Sequence, residues 1–208
     1  MPSTEHLLAF LTATLVFAVF PGPAILYAVA QTMSRGRRGG FLAALGLALG
    51  GLAHVVAAAA GLSVIFANSP DLFMIVKLAG AGYLIWLGIQ MIRNRSLGQL
   101  PALAAKSTRR VFAESVVVEL LNPKTALFFI AFLPQFVDGA AFLPIWLQFL
   151  LLGLFVNFCF FAADIFAILL ADRILERLKR SARAVRLVRL AGGSMLVGLG
   201  AHLAVSRQ

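Results

Sequence analysis

Between Leu7 and Ser34 the chain runs for 28 residues without a charged side chain. About 20 apolar residues are enough for a helix to cross a bilayer, so this stretch commits the chain to a membrane. It is not one continuous helix, because Phe20-Pro21-Gly22-Pro23 falls inside it. Proline removes a backbone donor and clashes with the carbonyl one turn back. The carbonyls freed by such a break survive at membrane depth only where protein or a wet cavity surrounds them. Gly22 is the predicted cap of a new half-helix and Pro23 its first residue, a position proline suits. A second break of the same kind lies in the apolar stretch Val116 to Phe136, at Asn122-Pro123-Lys124. There Asn122 is the predicted N-cap, as Asn is among the best caps, and Pro123 opens the half-helix. Two proline-interrupted segments in corresponding halves of a membrane chain point to a transporter binding site.

Composition agrees. The chain has 208 residues, 61% of them hydrophobic, with mean hydropathy +0.95, beyond the range of soluble domains. Aqueous α/β and all-β folds are excluded, and the expected fold class is an all-α integral membrane protein. The single cysteine, Cys159, allows neither a disulfide nor a Cys-based metal cluster and reads as core filler. No cofactor or metal is implied. A secretory signal is disfavoured at the N-terminus, since residues 1–6 carry no Lys or Arg and the positives, Arg35, Arg37 and Arg38, follow the apolar core.

Six spans are predicted, at about 7–34, 41–67, 72–92, 111–136, 143–171 and 190–206. Residues 172–189 read as an amphipathic helix lying on the membrane surface, and Lys77 is placed near enough to the start of span three to snorkel outward. The connections after spans one, three and five hold 3, 5 and 7 Lys/Arg, which is 15 of the 18, and those after spans two and four hold none. The positive-inside rule then makes the three basic connections cytoplasmic and both termini external. The net charge of +10 is a topology signal and not a nucleic-acid surface. Trp86 and Trp146 read as interfacial anchors.

Leu78-Ala79-Gly80 with Leu84, Leu87 and Gly88 recurs as Leu190-Ala191-Gly192 with Leu196, Leu199 and Gly200, six identities in eleven positions. Pro21 and Pro123 open a similar pattern, each with Ala three residues on (Ala24, Ala126). Each half reads as broken helix, helix, Gly-rich helix. With three spans per unit, the second is inverted, giving repeats at about 1–95 and 109–208 with a linker at about 94–108 in a single transporter domain. Inverted repeats bring two such breaks face to face near the midplane. Half-helix N-termini attract anions and half-helix carbonyl ends attract cations, a centre suited to an α-amino-acid zwitterion. Substrate contacts are therefore expected from Pro21, Gly22, Pro23, Asn122, Pro123 and Lys124.

Intramembrane ionisable groups are functional hypotheses by default. His54 shares a stripe with Gly46, Gly50, Ala57 and Gly61 at helical spacing, where another helix can approach. A hydrogen bond to that neighbour is one reading of it, and a proton relay or substrate ligand the other. Glu119, one turn before the second break, is either a packing partner or part of the site. Lys124 needs a partner, either Glu119 or a carbonyl. Asp164, about 10 Å from mid-span at 1.5 Å per residue, is either half-solvated and passive or, like Glu119, a group that serves the substrate's ammonium or carries protons. Asn157 is a weaker candidate for the same role. No HExxH, Ser/His or paired-aspartate pattern accompanies these residues, so no enzyme is expected. A passive pore and a metal or inorganic-ion exporter are the alternatives to a carrier.

These motifs resemble one family. Pro21-Gly22-Pro23, Ser34-Arg35-Gly36-Arg37-Arg38-Gly39, Asn122-Pro123-Lys124-Thr125-Ala126-Leu127-Phe128-Phe129 and Phe132-Leu133-Pro134-Gln135-Phe136 are similar to the LysE/RhtB family of bacterial amino-acid exporters. The resemblance covers nearly the whole chain and implies an inner-membrane carrier for amino acids, driven by a proton or other ion gradient, with membrane lipid around it and a homo-oligomer as an option. Many members have Ser before the first Pro and Asp or Asn after the second, where this chain has Phe20 and Ala24. Glu119 stands where Asn is often seen. An apolar Phe20/Ala24 surface suits a bulkier or more apolar amino acid better than a hydroxylated one.

Overall fold

In a computed structural model of the chain, which describes residues 4–93, 107–171 and 182–205, the described residues are helical and contain no strand. α1 (Thr4–Val19) stops at the first break, and α2 (Pro23–Ala57) begins on its far side. Inside α2 one residue, Gly36, leaves helical geometry with φ 70° and ψ −178°, a left-handed angle that glycine adopts without a Cβ clash. The chain reverses there. Thr32 and Gly40, eight residues apart, would be about 12 Å apart along a continuous helix, yet a Cβ on Gly40 would collide with Thr32 Oγ1. Ala28 and Ala44, equally spaced about Gly36, share a buried cluster with Leu47 and Ile168. α2 is thus two antiparallel arms joined at a single residue.

The second arm runs through a π turn (Ala58–Leu62) into α3 (Ser63–Asn68), and α4 (Pro70–Arg93) follows. α5 (Thr108–Leu120) ends at the second break, and α6 (Pro123–Leu127) continues as a π turn (Phe128–Phe132) and a 3₁₀ turn (Leu133–Phe136). α7 (Ile145–Leu169) and α8 (Ala182–Val205) complete the described chain. Three stretches are long and apolar enough to cross a membrane by length and composition: Pro23–Ile65, Thr108–Phe136 and Ile145–Leu169, of 43, 29 and 25 residues. The first of these is the stretch folded at Gly36. Leu7–Val19 is a shorter apolar helix.

Small residues set the packing. Gly46 faces the Phe112 carbonyl and Ser115, and Gly50 faces Val116 and Glu119, so α5 lies parallel to the second arm of α2. The expected stripe runs on through His54, which meets the Glu119 carbonyl, and stops before Ala57, which is exposed, and Gly61, where a Cβ would meet open space. α5 ends at Leu120, one residue past that contact. Gly51 meets Asn157, and Gly153 meets Val55, which runs α7 antiparallel to that arm. A Phe-rich core fills the remaining space, with Phe17 edge-on to Phe128 at 5.0 Å and Phe10 edge-on to Phe136 at 5.1 Å.

α4 and α8 pair closely, and their contacts are reciprocal. A Cβ on Gly88 would stand 2.6 Å from the Gly193 carbonyl and 2.8 Å from Val197. A Cβ on Gly200 would stand 2.7 Å from the Ala81 carbonyl and 2.8 Å from Ile85. The 112-residue offset that relates Leu78 to Leu190 turns the second set into the first, added to Ala81 and Ile85 of α4 and subtracted from Gly200 of α8, so the two helices exchange roles.

Three expectations need correction. Lys77 does not snorkel: it is 2% exposed and faces protein. Cys159 is only half-buried. Residues 182–189 are not part of a separate surface helix but continue into α8, because nothing in that stretch interrupts the hydrogen-bond ladder. The rest of that surface-helix expectation, 172–181, lies outside the described residues, as does 94–106 of the expected linker.

Candidate functional site

The first break is bare backbone. Gly22 caps α2 in an extended conformation (φ −98°, ψ −176°) with no side-chain hydrogen bond. The carbonyl of Phe20, left over where α1 ends, accepts a hydrogen bond from Lys124 Nζ at 2.7 Å. The lysine stem lies across Gly22, where a Cβ would stand 2.7 Å from Lys124 Cδ. Glycine is required here by that close approach, since its φ is one any residue adopts.

The second break is built from side chains. Asn122 Oδ1 accepts from the Lys124 backbone N–H at 3.1 Å, the capping bond expected of Asn. Asn122 Nδ2 donates to Glu119 Oε2 at 2.9 Å, and Thr125 Oγ1 donates to Glu119 Oε1 at 2.6 Å. Glu119, Asn122 and Thr125 are all buried. Glu119 lies in the last turn of α5 and Thr125 in α6, so one carboxylate fastens the two helix ends across the gap.

Lys124 joins the breaks. Its amine reaches the first, its backbone belongs to the second, and it lies 5.2 Å from the Phe160 ring centroid and 6.0 Å from that of Phe20. The packing of α7 brings Asn157, Phe160, Phe161 and Asp164 to the same place. With Glu119, Asn122, Lys124, Thr125, Ala24 and Leu47 these enclose a cavity of about 20 Å³. A cavity of that size admits a water, and an amino acid fits only after the helices part.

The structure sorts the predicted residues. Gly22, Asn122 and Lys124 meet at the junction. Pro21, Pro23 and Pro123 shape the backbone without lining the cavity, and Pro23 is exposed. Glu119, Asn157 and Asp164 line the cavity. Asp164 is 5% exposed, so it is not the half-solvated group that its position along the span allowed. Asn157 Nδ2 donates to the Ala48 carbonyl at 3.2 Å, tying α7 to α2. His54 stands outside the cavity. Its Nε2 lies 3.0 Å from the Glu119 backbone carbonyl and its ring 5.9 Å from that of Phe129. Since a carbonyl only accepts, Nε2 carries the hydrogen, and His54 braces the last turn of α5.

Sequence reasoning passed over Thr125, Phe160, Phe161 and the Phe20 carbonyl. The spacing of Asn157, Phe160, Phe161 and Asp164 marks one face of a helix, but a Phe there reads as core until its polar neighbours are known. Among the described residues no group of three or more His, Cys, Asp or Glu is placed to hold a metal ion.

Broken helices clasped to each other inside an all-helical, strongly apolar chain define a membrane protein of the translocator class. The family model for the LysE type translocator matches residues 15–207, and the chain belongs to that family. It is 32% identical over 204 residues to the homoserine/homoserine lactone efflux protein of Salmonella typhimurium, covering 98% of both chains. It is 30% identical over 203 residues to the leucine efflux protein of Klebsiella pneumoniae, covering 95% of this chain and 93% of that one. An uncharacterized membrane protein of Vibrio cholerae is 32% identical over 201 residues, covering 96% and 97%. No solved structure matches the chain at a significant level.

Proposed function

We propose that the chain is a secondary active transporter that exports amino acids or close derivatives from the cytoplasm across a bacterial inner membrane, by alternating access and at the expense of a proton or other ion gradient. The observation that carries this reading is the hydrogen bond from Lys124 Nζ to the Phe20 carbonyl. It places the two interrupted helices against one buried, charged cavity, in a family whose named relatives export homoserine and leucine. Substrate is held at the junction by Gly22, Asn122 and Lys124, with the breaks at Pro21, Pro23 and Pro123 giving the backbone its shape. The candidates for coupling are the ionisable groups Glu119, Asp164 and His54 and the amide of Asn157, all at or beside the cavity.

The proposed architecture is one transporter domain of six spans in two inverted repeats, with both termini in the periplasm. The reciprocal contacts of Gly88 and Gly200 support the repeats, because a two-fold relation makes each contact occur twice with its partners exchanged. The arm directions support alternating crossings. The Gly36 turn, with its arginines, the start of α5 and the end of α7 all lie at one end of the bundle, through Tyr27–Glu114 and Gly40–Ile168. The positive-inside rule makes that end cytoplasmic.

The test is export of an amino-acid panel from proteoliposomes, with and without a proton gradient. Asn122→Ala and Lys124→Gln are expected to abolish export at equal expression. Unchanged export in both would remove the junction from the mechanism, and gradient-independent flux would make the protein a passive pore.

A further inference from the structure

Six polar side chains line the cavity, and their hydrogen bonds divide them into two sets. In the first set, Glu119 accepts from Asn122 Nδ2 with one oxygen and from Thr125 Oγ1 with the other, and Asn122 Oδ1 is taken by the Lys124 backbone. These three close the break, and of their side-chain donors the second amide hydrogen of Asn122 is the one left for a ligand. In the second set, Lys124 Nζ has spent one of its three donors, on the Phe20 carbonyl. Asn157 has used its amide nitrogen and keeps its oxygen. The carboxylate of Asp164, on a residue 5% exposed, accepts no hydrogen bond from a described residue.

Lys124 and Asp164, a base and an acid, thus face one cavity, and among the described residues they form no ion pair with each other. The lysine is drawn instead toward a backbone carbonyl and the Phe160 ring. Two buried, opposite charges held apart are costly unless something bridges them. A group carrying a cation and an anion about one carbon apart would satisfy both. The remainder of the wall is apolar: Ile25, Leu47, Phe160 and Phe161 carry no side-chain hydrogen-bonding group.

Resting on the amino-acid export reading, we propose that Asp164 binds the substrate's ammonium group, that Lys124 binds its carboxylate, and that the apolar wall of α2 and α7 selects a neutral amino acid with an apolar side chain. Glu119, for all its proximity, takes neither part. A hydroxylated side chain would enter this wall without a hydrogen-bond partner. Homoserine puts one hydroxyl where leucine has two methyl groups, so it loses apolar contact and leaves the hydroxyl unpaired, and leucine is the preferred substrate by at least about 10-fold.

The experiment measures binding and counterflow in proteoliposomes with leucine, homoserine and 2-hydroxy-4-methylpentanoate, which keeps the leucine skeleton and carboxylate but has no ammonium. The unaltered protein is expected to prefer leucine to the hydroxy acid by at least 100-fold, and Asp164→Asn to reduce that preference below about 10-fold, chiefly by weakening leucine. Asp164→Glu, a second variant that keeps the charge, is expected to retain the preference while binding leucine less tightly. A preference unchanged in Asp164→Asn overturns the ammonium assignment, and if proton coupling is lost at the same time Asp164 is a proton carrier instead. Homoserine handled as well as leucine overturns the apolar-wall assignment. Both results leave amino-acid export standing, whereas a chain that transports no amino acid under any gradient removes the export reading itself. Where Asp164→Asn does not fold, Asp164→Glu and the three-ligand comparison on the unaltered protein decide: no preference for leucine over its hydroxy analogue refutes the proposal.

Discussion

The two breaks solve one problem in opposite ways. Around Asn122 the chain supplies its own side chains: a cap, a carboxylate and a hydroxyl, all within seven residues, tie α5 to α6. Around Gly22 no side chain from the same segment helps. The cap is a bare backbone, the neighbours are Phe20 and Ala24, and the leftover carbonyl is bonded by a lysine 104 residues away. One break is self-sufficient and the other depends on it. The polar chemistry of the site is therefore concentrated in the second half of the chain, while the first half contributes backbone, small residues and apolar surface. On the proposed mechanism, a substrate that draws the Lys124 amine from Phe20 would loosen the first break and leave the second intact.

Four substitutions test that asymmetry. The largest effect is expected from Lys124→Met, which keeps the stem but frees the Phe20 carbonyl and removes the charge from the cavity. Proteoliposome export should fall by at least 100-fold, since hydrogen bonds to charged groups at a site are worth about 1.5–3 kcal/mol even before their part in binding is counted. Next is Gly50→Leu. A Cβ there would stand 2.8 Å from both the Val116 carbonyl and Glu119 Cβ, and a rigid backbone oxygen cannot step aside. Overpacking should cost about 1–3 kcal/mol, seen as a lower midpoint in detergent unfolding, with export falling alongside because Glu119 is carried away from Asn122. Third, Glu119→Gln confronts the donors of Asn122 and Thr125 with an amide that accepts through only one of its two ends. Its oxygen can keep Asn122 while its nitrogen donates to Thr125 Oγ1, so both bonds survive as neutral ones and the lost charge assistance should cost about 1–1.5 kcal/mol. The same substitution in a protein carrying Asn122→Ala should cost less, and a double-mutant cycle reads the difference. The smallest effect runs the other way. Gln31, in the first half, is 1% exposed, and among the described residues neither end of its amide has a hydrogen-bond partner. Gln31→Met should raise stability by about 1 kcal/mol, measured by the same unfolding midpoint.

Much of this was legible in the sequence because it rests on local rules. Proline at the first helical position and Asn before it mark the helix starts at Pro23 and Pro123, and the structure begins helices at both residues. The Leu-Ala-Gly recurrence marked the two helices that prove to be paired. What stayed hidden depended on which residues meet across space. Lys124 was open to either Glu119 or a carbonyl, and only the placement of α1 beside α6 selects the carbonyl. Lys77 looked free to reach water by its distance from the span end, and its burial depends on neighbours that no spacing reveals. A loop was expected between the first two spans, whereas one glycine with positive φ makes the whole turn, possible because Thr32 and Gly40 leave the arms room to touch. Asp164 and Phe160 carry the same helical periodicity as any core residue of α7. Their role comes from the cavity they enclose with Lys124.

The seam between α4 and α8 has a consequence of its own. An antiparallel contact in which Gly88 and Gly200 exchange roles is one that a single short sequence could form with a second copy of itself. Two identical three-helix chains, threaded in opposite senses, would meet along the same glycines, and nothing in that interface demands that they be joined. On the proposed repeat architecture, joining the two in one polypeptide would remove the need for sameness elsewhere: the shared seam could be kept while one interrupted helix gathers acids and amides and the other is stripped to carbon and backbone. A dissymmetric ligand, charged plus at one end and minus at the other, gains from a host whose halves have stopped being equal.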